Sequence, residues 1–430
     1  MICTFENITV TDHSKSIQDA DYFLITQQNR QYVTDIPKEK IITPQDLINR
    51  YRLDTLKTIG VTGTNGKTTT AAAIYSYLND LGLKAALQGT RGFFIEDEQL
   101  EKKSLTTPPI LQTLYHMYTA KQQGATYFVM EVSSHAIAQN RIEDLQFALK
   151  VFTNISQDHL DYHKTMQNYI ATKSSFFMDE GSKLINKDDK HIQYNPKGAR
   201  TYSVEELATY QILAFSMQNG ISAVLRFGNE MIDFHAPMIG LFNLYNVTAA
   251  ISAVHMLTNL PLQQICEVTE HFAGVKGRMQ ILNEEPLIIV DFAHTPDGMQ
   301  KVFESFPGKK LVAIFGAGGD RDRSKRALMG NVASRFCTKI YLTSDNPRSE
   351  DPKQIIEDIA KGIETDVFVE KIVDRKEAVE KAFHSLQKDE ILLILGKGDE
   401  EYIEQNGTKI PYSDVEVVTD IIEDLNERGT

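Results

Sequence analysis

The stretch TIGVTGTNGKTTTAA, residues 58–72, constrains the fold more than any other. The apolar run 56–61 reads as a buried strand. Residues 68–81 read as a helix, with Ile74, Leu78 and Leu81 on one face and Gly82 as its stop. Glycines between a strand and a helix let backbone N–H groups wrap phosphate oxygens, and the helix N-terminus adds partial positive charge. Lys67 would then reach the β- and γ-phosphates and Thr68 would ligate Mg²⁺. The common phosphate loop is Gly, four residues, Gly-Lys-Ser/Thr, which requires glycine at 61. This chain has Val61 there, with glycines at 60, 63 and 66. Taken out of that setting, the same residues are a Gly-rich turn with an exposed lysine.

A chain of 430 residues exceeds one compact core and predicts about three domains. A net charge of −13 argues against a nucleic-acid or anionic-membrane partner, which would need a surplus of Lys and Arg. The N-terminus MICTFENITV lacks a basic n-region and an apolar h-region, and no apolar run approaches the length of a membrane span. A cytoplasmic protein is expected. Cys3, Cys266 and Cys337 are scattered and outside any metal-ligand spacing, so they are expected to be reduced thiols.

The texture of the chain changes twice. Residues 1–54 are short-patterned, with a strand expected around 22–26 and a helix after Pro44. From 56 onward apolar strands alternate with helical patterns, the βαβ rhythm of a parallel sheet covered by helices. Residues 190–236 interrupt it with loops and a few antiparallel strands, and FAGVKGRMQ at 272–280 precedes a second βαβ series. The reading is α/β with three domains: a small N-terminal α/β module (1–54), a central P-loop-type ATPase domain with a mainly parallel sheet (55–275), and a Rossmann-like C-terminal domain (276–430).

A magnesium–phosphate site needs further acids. TYFVMEVSSH is an apolar strand closing on Glu131, where a metal-binding carboxylate belongs in an open α/β sheet. His159 follows the next strand, ALKVFTN, and taken alone is more often structural than a ligand. Lys173 shares a helical face with Met166, Tyr169, Ile170, Phe176 and Phe177. A lysine there either snorkels to solvent or, as a neutral amine, can add CO₂ to become a carbamate, an anion suited to a metal.

In the last third, PLIIVD, KLVAIFG, KIYLTSD and EILLILG each run into a polar or glycine-rich loop, carrying Asp291 and His294, Arg321, Arg348, and Glu400. Ligands of open parallel sheets sit at those carboxyl ends, so the four loops are expected to converge. Without that convergence Arg321 and Arg348 are solvated surface arginines. GAGGDR at 316–321 is not a dinucleotide fingerprint, because its third glycine is Arg321.

These segments resemble the Mur ligases of peptidoglycan precursor synthesis. GVTGTNGKTTT is similar to that family's ATP loop. LTTPP (105–109), EVSSHAIAQNR (131–141), TNISQDHLDYH (153–163), GLFNLYN (240–246), KGRMQ (276–280), VDFAHTPDGM (290–299), FGAGGDRDRSKR (315–326), SDNPRSEDP (344–352) and GKGDEEY (396–402) follow in the order of its diaminopimelate-adding branch.

The resemblance implies that Gly63, Thr64, Asn65, Gly66, Lys67, Thr68 and Thr69 hold ATP, with Asn243, Arg278, Asp291 and His294 around the nucleotide and its phosphates. It implies Thr68, Glu131, His159 and carbamylated Lys173 as magnesium ligands, and Lys67, Lys173, Arg278 and His294 as catalytic. Ser14, Thr106, Thr107, Ser133 and Arg141 would hold the muramoyl dipeptide. Arg321, Asp345, Asn346, Arg348, Gly396 and Glu400 would hold the amino acid. The implied reaction is ATP-dependent amide formation by a monomer between UDP-N-acetylmuramoyl-L-alanyl-D-glutamate and meso-diaminopimelate. The lysine-adding branch and folylpolyglutamate synthetase are the nearest alternatives, and a non-catalytic ATP-binding switch is a rival of another class. Two positions depart from the family pattern: Ser14-Lys15 stands where an Asp-Ser-Arg type of signature is common, and Asp399 replaces a histidine.

Overall fold

The computed structural model describes residues 1–33, 36–96, 98–102, 105–364 and 366–428. They form two compact units. One comprises Met1–Ile155, Gln167–Pro237 and Leu244–Phe272; the other comprises Ser156–Met166, Met238–Asn243 and Ala273–Thr430.

The first unit opens with its own four-stranded sheet, in the order Ile2–Phe5, Ile8–Thr11, Tyr22–Leu24, Ile41–Ile42. The helix Pro44–Tyr51 follows, started by a capping box in which Thr43 and Asp46 satisfy each other's backbone N–H groups.

Its larger sheet has eleven strands. At the centre Lys57–Thr62 pairs in parallel with Tyr127–Glu131 on one side and Leu149–Phe152 on the other. The chain leaves this strand toward Ala85–Gly89 on one side and later crosses to Leu149–Phe152 on the other. A switch point therefore lies at the carboxyl end of Lys57–Thr62, where the glycine-rich loop begins. Both flanks of the central strand are buried, and Ile59 and Val61 are fully so, as a strand covered on two faces requires.

The expected helix spans Lys67–Asp80, one residue earlier at each end than its periodicity suggested. The interruption at 190–236 extends the same sheet. Ala199–Ser203 and Tyr210–Ser216 add in parallel, and Ile221–Phe227 with Glu230–Ala236 completes the edge as an antiparallel hairpin.

The apolar face expected around Lys173 is not all helical. The helix carrying Lys173 is Met166–Ser175, so Phe176 and Phe177 lie beyond its end. The backbone there tightens to three-residue spacing, with Phe176 N–H on Lys173 O and Phe177 N–H on Ser174 O. Both rings are nonetheless buried, as are Tyr169 and Lys173.

The second unit carries a six-stranded sheet, in the order Gln280–Glu284, Leu287–Asp291, Glu390–Leu395, Lys310–Phe315, Cys337–Leu342, Phe368–Lys371. Only the first pair is antiparallel. Alternate residues feed two cores: Ile289, Ala313 and Leu393 belong to one, and Val290, Val312 and Leu392 to the other. Burial on both faces explains why these strands read as unbroken apolar runs. All their carboxyl ends except that of the first face one edge, which gathers the loops after Asp291, Phe315, Leu342 and Leu395.

Candidate active site

In the first unit the loop from Gly63 to Gly66 is shaped around specific neighbours. Gly66 has φ +83°, and a Cβ there would lie 2.4 Å from Asn246 Oδ1. A Cβ on Gly63 would lie 1.9 Å from Thr153 Oγ1. Gly60 has a different reason, since a side chain there would strike the Phe147 ring at 2.7 Å. Asn154 fixes the loop by accepting from Asn65 N–H at 3.0 Å and donating to Asn65 O at 3.0 Å. Thr64 Oγ1 meets Tyr169 OH at 3.0 Å. Gly66 is the N-cap of the helix, whose first turn carries Lys67, Thr68 and Thr69. An N-terminus so arranged fits an anion.

Two lysines point at this loop. Lys67 Nζ donates to Gly63 O at 2.9 Å and Thr64 O at 2.8 Å. Lys173, only 1% exposed, donates to the same Gly63 O at 2.9 Å and to Thr62 Oγ1 at 3.3 Å.

Thr68 and Glu131 are brought together, with Thr68 Oγ1 donating to Glu131 Oε2 at 2.9 Å. Glu131 also accepts from Thr90 N–H at 2.8 Å and Thr90 Oγ1 at 3.2 Å, and Thr90 Oγ1 meets Thr106 Oγ1 at 3.1 Å. One step further, Thr107 Oγ1 donates to the Glu131 carbonyl at 2.9 Å and accepts from Ser133 N–H at 2.9 Å, while Arg141 Nη1 holds Thr107 O at 2.8 Å. Thr68 and Glu131, expected for metal, and Thr106, Thr107, Ser133 and Arg141, expected for acyl substrate, thus form one continuous network. A hydroxyl and a carboxylate are hard oxygen donors of the kind Mg²⁺ takes, and the loop geometry fits phosphate. Among the described residues no group of three or more His, Cys, Asp or Glu could by itself hold a metal. Ser14 lies apart from this network, half-buried at the start of the short 3₁₀ turn Ser14–Asp19.

The second unit holds His159, in a left-handed conformation at φ 54°. Its Nε2 stands 3.3 Å from Asp158 Oδ2. A carboxylate on Nε2 favours the tautomer whose lone pair is on Nδ1, a pattern typical of metal-binding histidines. Burial works against the Asp158 carboxylate, but His159, His294 and Lys325 hold its pKa down to about 2.

His294 Nδ1 lies 2.9 Å from Phe292 O; a carbonyl only accepts, so Nδ1 carries the proton. Burial and then Lys325 push the imidazole below its ordinary pKa, against the pull of Asp158. Arg278 stacks over Phe292, with its guanidinium carbon 4.2 Å from the ring centroid. Asp291 accepts from Met279 N–H and Ala293 N–H, both at 2.7 Å, and burial raises its pKa despite Arg278. Asn243 Nδ2 donates to Ile239 O at 2.8 Å, fixing the first turn of its helix.

The loops of the C-terminal sheet converge as expected. Asn346 Nδ2 donates to Glu400 Oε2 at 2.9 Å, and Lys397 Nζ reaches the same oxygen at 2.9 Å and Asn346 Oδ1 at 3.3 Å. Arg348 Nη1 donates to Gly319 O at 2.8 Å. A Cβ on Gly318 would lie 3.0 Å from Arg348 Nη1 and 3.6 Å from Arg321 Cγ, so both arginines flank that glycine. The Arg321 head is half-exposed, 4.0 Å from Asp161 Oδ2. Gly396 leaves room for Asp345, whose Oδ2 would be 2.6 Å from a Cβ there. Burial raises the pKa of Asp345, but Lys397, Arg375 and His294 hold it below the usual carboxylate value. At Asp399 the main chain packs on Gly277, where a Cβ would lie 2.1 Å from Asp399 N.

Sequence reasoning missed Thr90, Asn154, Asn246, Asp158, Lys325 and Lys397. Asn246 and Lys397 had a signal, since they lie inside GLFNLYN and GKGDEEY. Thr90 had none, because a threonine after a strand is ordinary.

Comparison with known proteins agrees with this geometry. Residues 61–254 match the Mur ligase middle domain, and residues 277–398 match the Mur ligase glutamate ligase domain. The chain is 51% identical over 413 residues to the UDP-N-acetylmuramoyl-L-alanyl-D-glutamate–2,6-diaminopimelate ligase of Wolinella succinogenes, covering 95% of each chain. It is 48% identical to the protein of that name from Helicobacter pylori, covering 94% of this chain and 93% of the other. A solved structure of a ligase of that name aligns with TM-score 0.67 at 30% identity, over 97% of this chain and 95% of that one. Strand-end loops, nucleotide loop and full-length likeness agree, and the chain belongs to the Mur ligase family.

Proposed function

We propose that the protein joins meso-diaminopimelate to UDP-N-acetylmuramoyl-L-alanyl-D-glutamate at the expense of ATP, in peptidoglycan precursor synthesis. The observation that carries this reading is the 51% identity, over 95% of both chains, to a relative of that name. A cytoplasmic enzyme is proposed; among the described residues no helix is long and apolar enough to cross a membrane. The domain reading of 1–54, 55–275 and 276–430 is kept as part of the proposal, with uridine contacts, Ser14 included, in the first.

A carboxylate is a poor acyl donor, whereas an acyl phosphate has a good leaving group. Transfer of the γ-phosphoryl group to the D-glutamyl side-chain carboxylate is therefore followed by attack of the amine on the acyl carbon. The C–N bond forms, the C–O bond to phosphate breaks, and the amine loses a proton. This chain's part is positioning and charge. Backbone N–H groups from Gly63 to Thr69 and the Lys67 ammonium hold the phosphates. Thr106, Thr107, Ser133 and Arg141 hold the acyl substrate. Thr68, Glu131, His159 and a Lys173 carbamate would hold Mg²⁺, which supplies charge neutralisation at the phosphoryl oxygens. Asn243 and Asp291 orient the nucleotide, and Arg278 and His294 answer charge developing on its phosphates.

The amino acid is assigned to Arg321, Asp345, Asn346, Arg348, Gly396 and Glu400. Glu400 offers an anion to its ammonium, and the Arg348 fork grips the second carboxylate, which lysine lacks. Lysine would leave the outer edge of that half-buried guanidinium without the second carboxylate, which favours the diamino diacid. The test is a mass spectrum of the product from the UDP-linked dipeptide and ATP with meso-diaminopimelate or L-lysine. A tripeptide with diaminopimelate is expected; equal use of lysine would sink the assignment.

A further inference from the structure

The hairpin Tyr402–Gln405 and Thr408–Pro411 follows directly on the Gly396–Glu400 loop. Arg348 is fastened to it. Its N–H donates to Glu404 O at 3.0 Å, its own carbonyl accepts from Asn406 N–H at 2.8 Å, and it bridges in parallel with Gln405. These bonds hold Arg348 at φ 51°, a left-handed conformation that costs a bulky residue energy.

The side chain is clamped as well. Arg348 Nε lies 3.2 Å from Glu404 Oε2, while Nη1 donates to Gly319 O. Glu404 N–H donates to Asn346 Oδ1 at 2.8 Å. One residue thus touches both Asn346 and Arg348 of the DNPR segment, through its carboxylate, its carbonyl and its N–H. A guanidinium gripped at Nε keeps its outer Nη edge in a defined plane. An arginine without that grip spreads over many rotamers, which must be frozen when ligand binds.

We propose that Glu404 is a positioning residue for amino-acid selection, holding the Arg348 fork in the plane that receives the second carboxylate of a diamino diacid. This rests on the reading that Arg348 grips that carboxylate. Orientation outweighs the repulsion Glu404 adds toward an incoming anion, because its carboxylate engages Nε, on the inner side of the guanidinium.

The test is steady-state kinetics of wild type, Glu404→Gln, Glu404→Ala, Arg348→Ala and the Glu404→Ala/Arg348→Ala double variant, with meso-diaminopimelate and L-lysine. Glu404→Ala is expected to raise KM for diaminopimelate about tenfold with kcat changed less than about twofold, and to narrow the preference over lysine. Glu404→Gln keeps a polar group near Nε and the main-chain bonds, so its effect should be smaller. In the Arg348→Ala background removal of Glu404 should change KM less than about twofold, because a residue acting through Arg348 has nothing left to orient. An equal effect in both backgrounds, an unchanged preference, or a lowered KM for diaminopimelate overturns the inference. If Arg348→Ala itself keeps the wild-type preference, the reading of the pocket falls and the inference with it. Loss of preference in Arg348→Ala but not in Glu404→Ala overturns the inference alone.

Discussion

Lys67 and Lys173 donate to one acceptor, the carbonyl oxygen of Gly63, each at 2.9 Å. Two ammonium groups so placed are within about 6 Å and would repel by roughly 3 kcal/mol at an effective dielectric constant near 20. Conversion of Lys173 to the proposed carbamate would turn that repulsion into attraction, the amine adding CO₂ and releasing a proton. Lys173→Ala is expected to abolish ligation while the fold survives, and acetate or formate should restore part of it. Carbon NMR of the wild type in labelled bicarbonate should show a carbamate signal that Lys173→Ala lacks. Near-native turnover of Lys173→Ala would refute the assignment.

Glu131 and Thr68 form the other half of the proposed metal site, and Lys67 does not belong to it. Glu131→Ala and His159→Ala should therefore raise the Mg²⁺ concentration needed for half-maximal activity, and excess Mg²⁺ should recover part of the lost rate. Lys67→Ala would remove the proposed phosphate contact and should stay slow at any Mg²⁺ concentration. A Mg²⁺ titration of all three variants decides it; equal insensitivity would remove His159 and Glu131 from the ligand set.

Arg375 and Asp414 make a bidentate pair with both side chains fully buried, Nε to Oδ1 and Nη2 to Oδ2 at 2.8 Å each. Arg375 also donates to Ser344 O at 3.2 Å and Leu395 O at 2.9 Å. It thereby joins the strand ends that carry the DNPR and Gly396–Glu400 loops. Asp414→Ala leaves a buried, unpaired cation and should cost ~3–5 kcal/mol of unfolding free energy. Replacing both partners with leucine should cost less than that single change. Urea denaturation followed by circular dichroism measures both, and a loss under about 1 kcal/mol for Asp414→Ala would contradict the argument.

Much of this was legible in the chain because parallel strands covered on both faces must be apolar throughout. PLIIVD, KLVAIFG, KIYLTSD and EILLILG therefore announced themselves, and the loops after them carry the polar residues. Local glycine spacing likewise placed the phosphate loop between strand and helix. Long-range contacts were not legible. Nothing in the order of residues says that Asn154 clasps Asn65 across 89 positions, or that Glu404 pairs with Arg348. The end of the Lys173 helix was misread because Phe176 and Phe177 continue its apolar face from a tightened turn. Periodicity reports burial there, not helix.

His116 offers a test of how burial and charge compete away from the site. It lies in the helix Ile110–Gln122, is 1% exposed, and stacks on Phe93 with ring centroids 4.2 Å apart. Gln88 donates its amide N–H to Thr113 Oγ1, so its Oε1 accepts from His116 Nδ1 at 2.7 Å. Nε2 is 3.0 Å from Glu101 Oε2, yet without hydrogen-bond alignment. Burial pushes the imidazole below its ordinary pKa, and Glu101 only partly offsets this. A histidine whose pKa is lower folded than unfolded binds fewer protons in the native state. Its penalty is absent above the unfolded value of about 6.5 and grows as pH falls below it, up to ~1.4 kcal/mol per pH unit. Unfolding free energy should thus decline from pH 8 to pH 5.5 more steeply in the wild type than in His116→Gln, which has no proton to gain. If His116→Gln instead declined more steeply, Glu101 would be holding a charged imidazole and burial would not be the dominant effect.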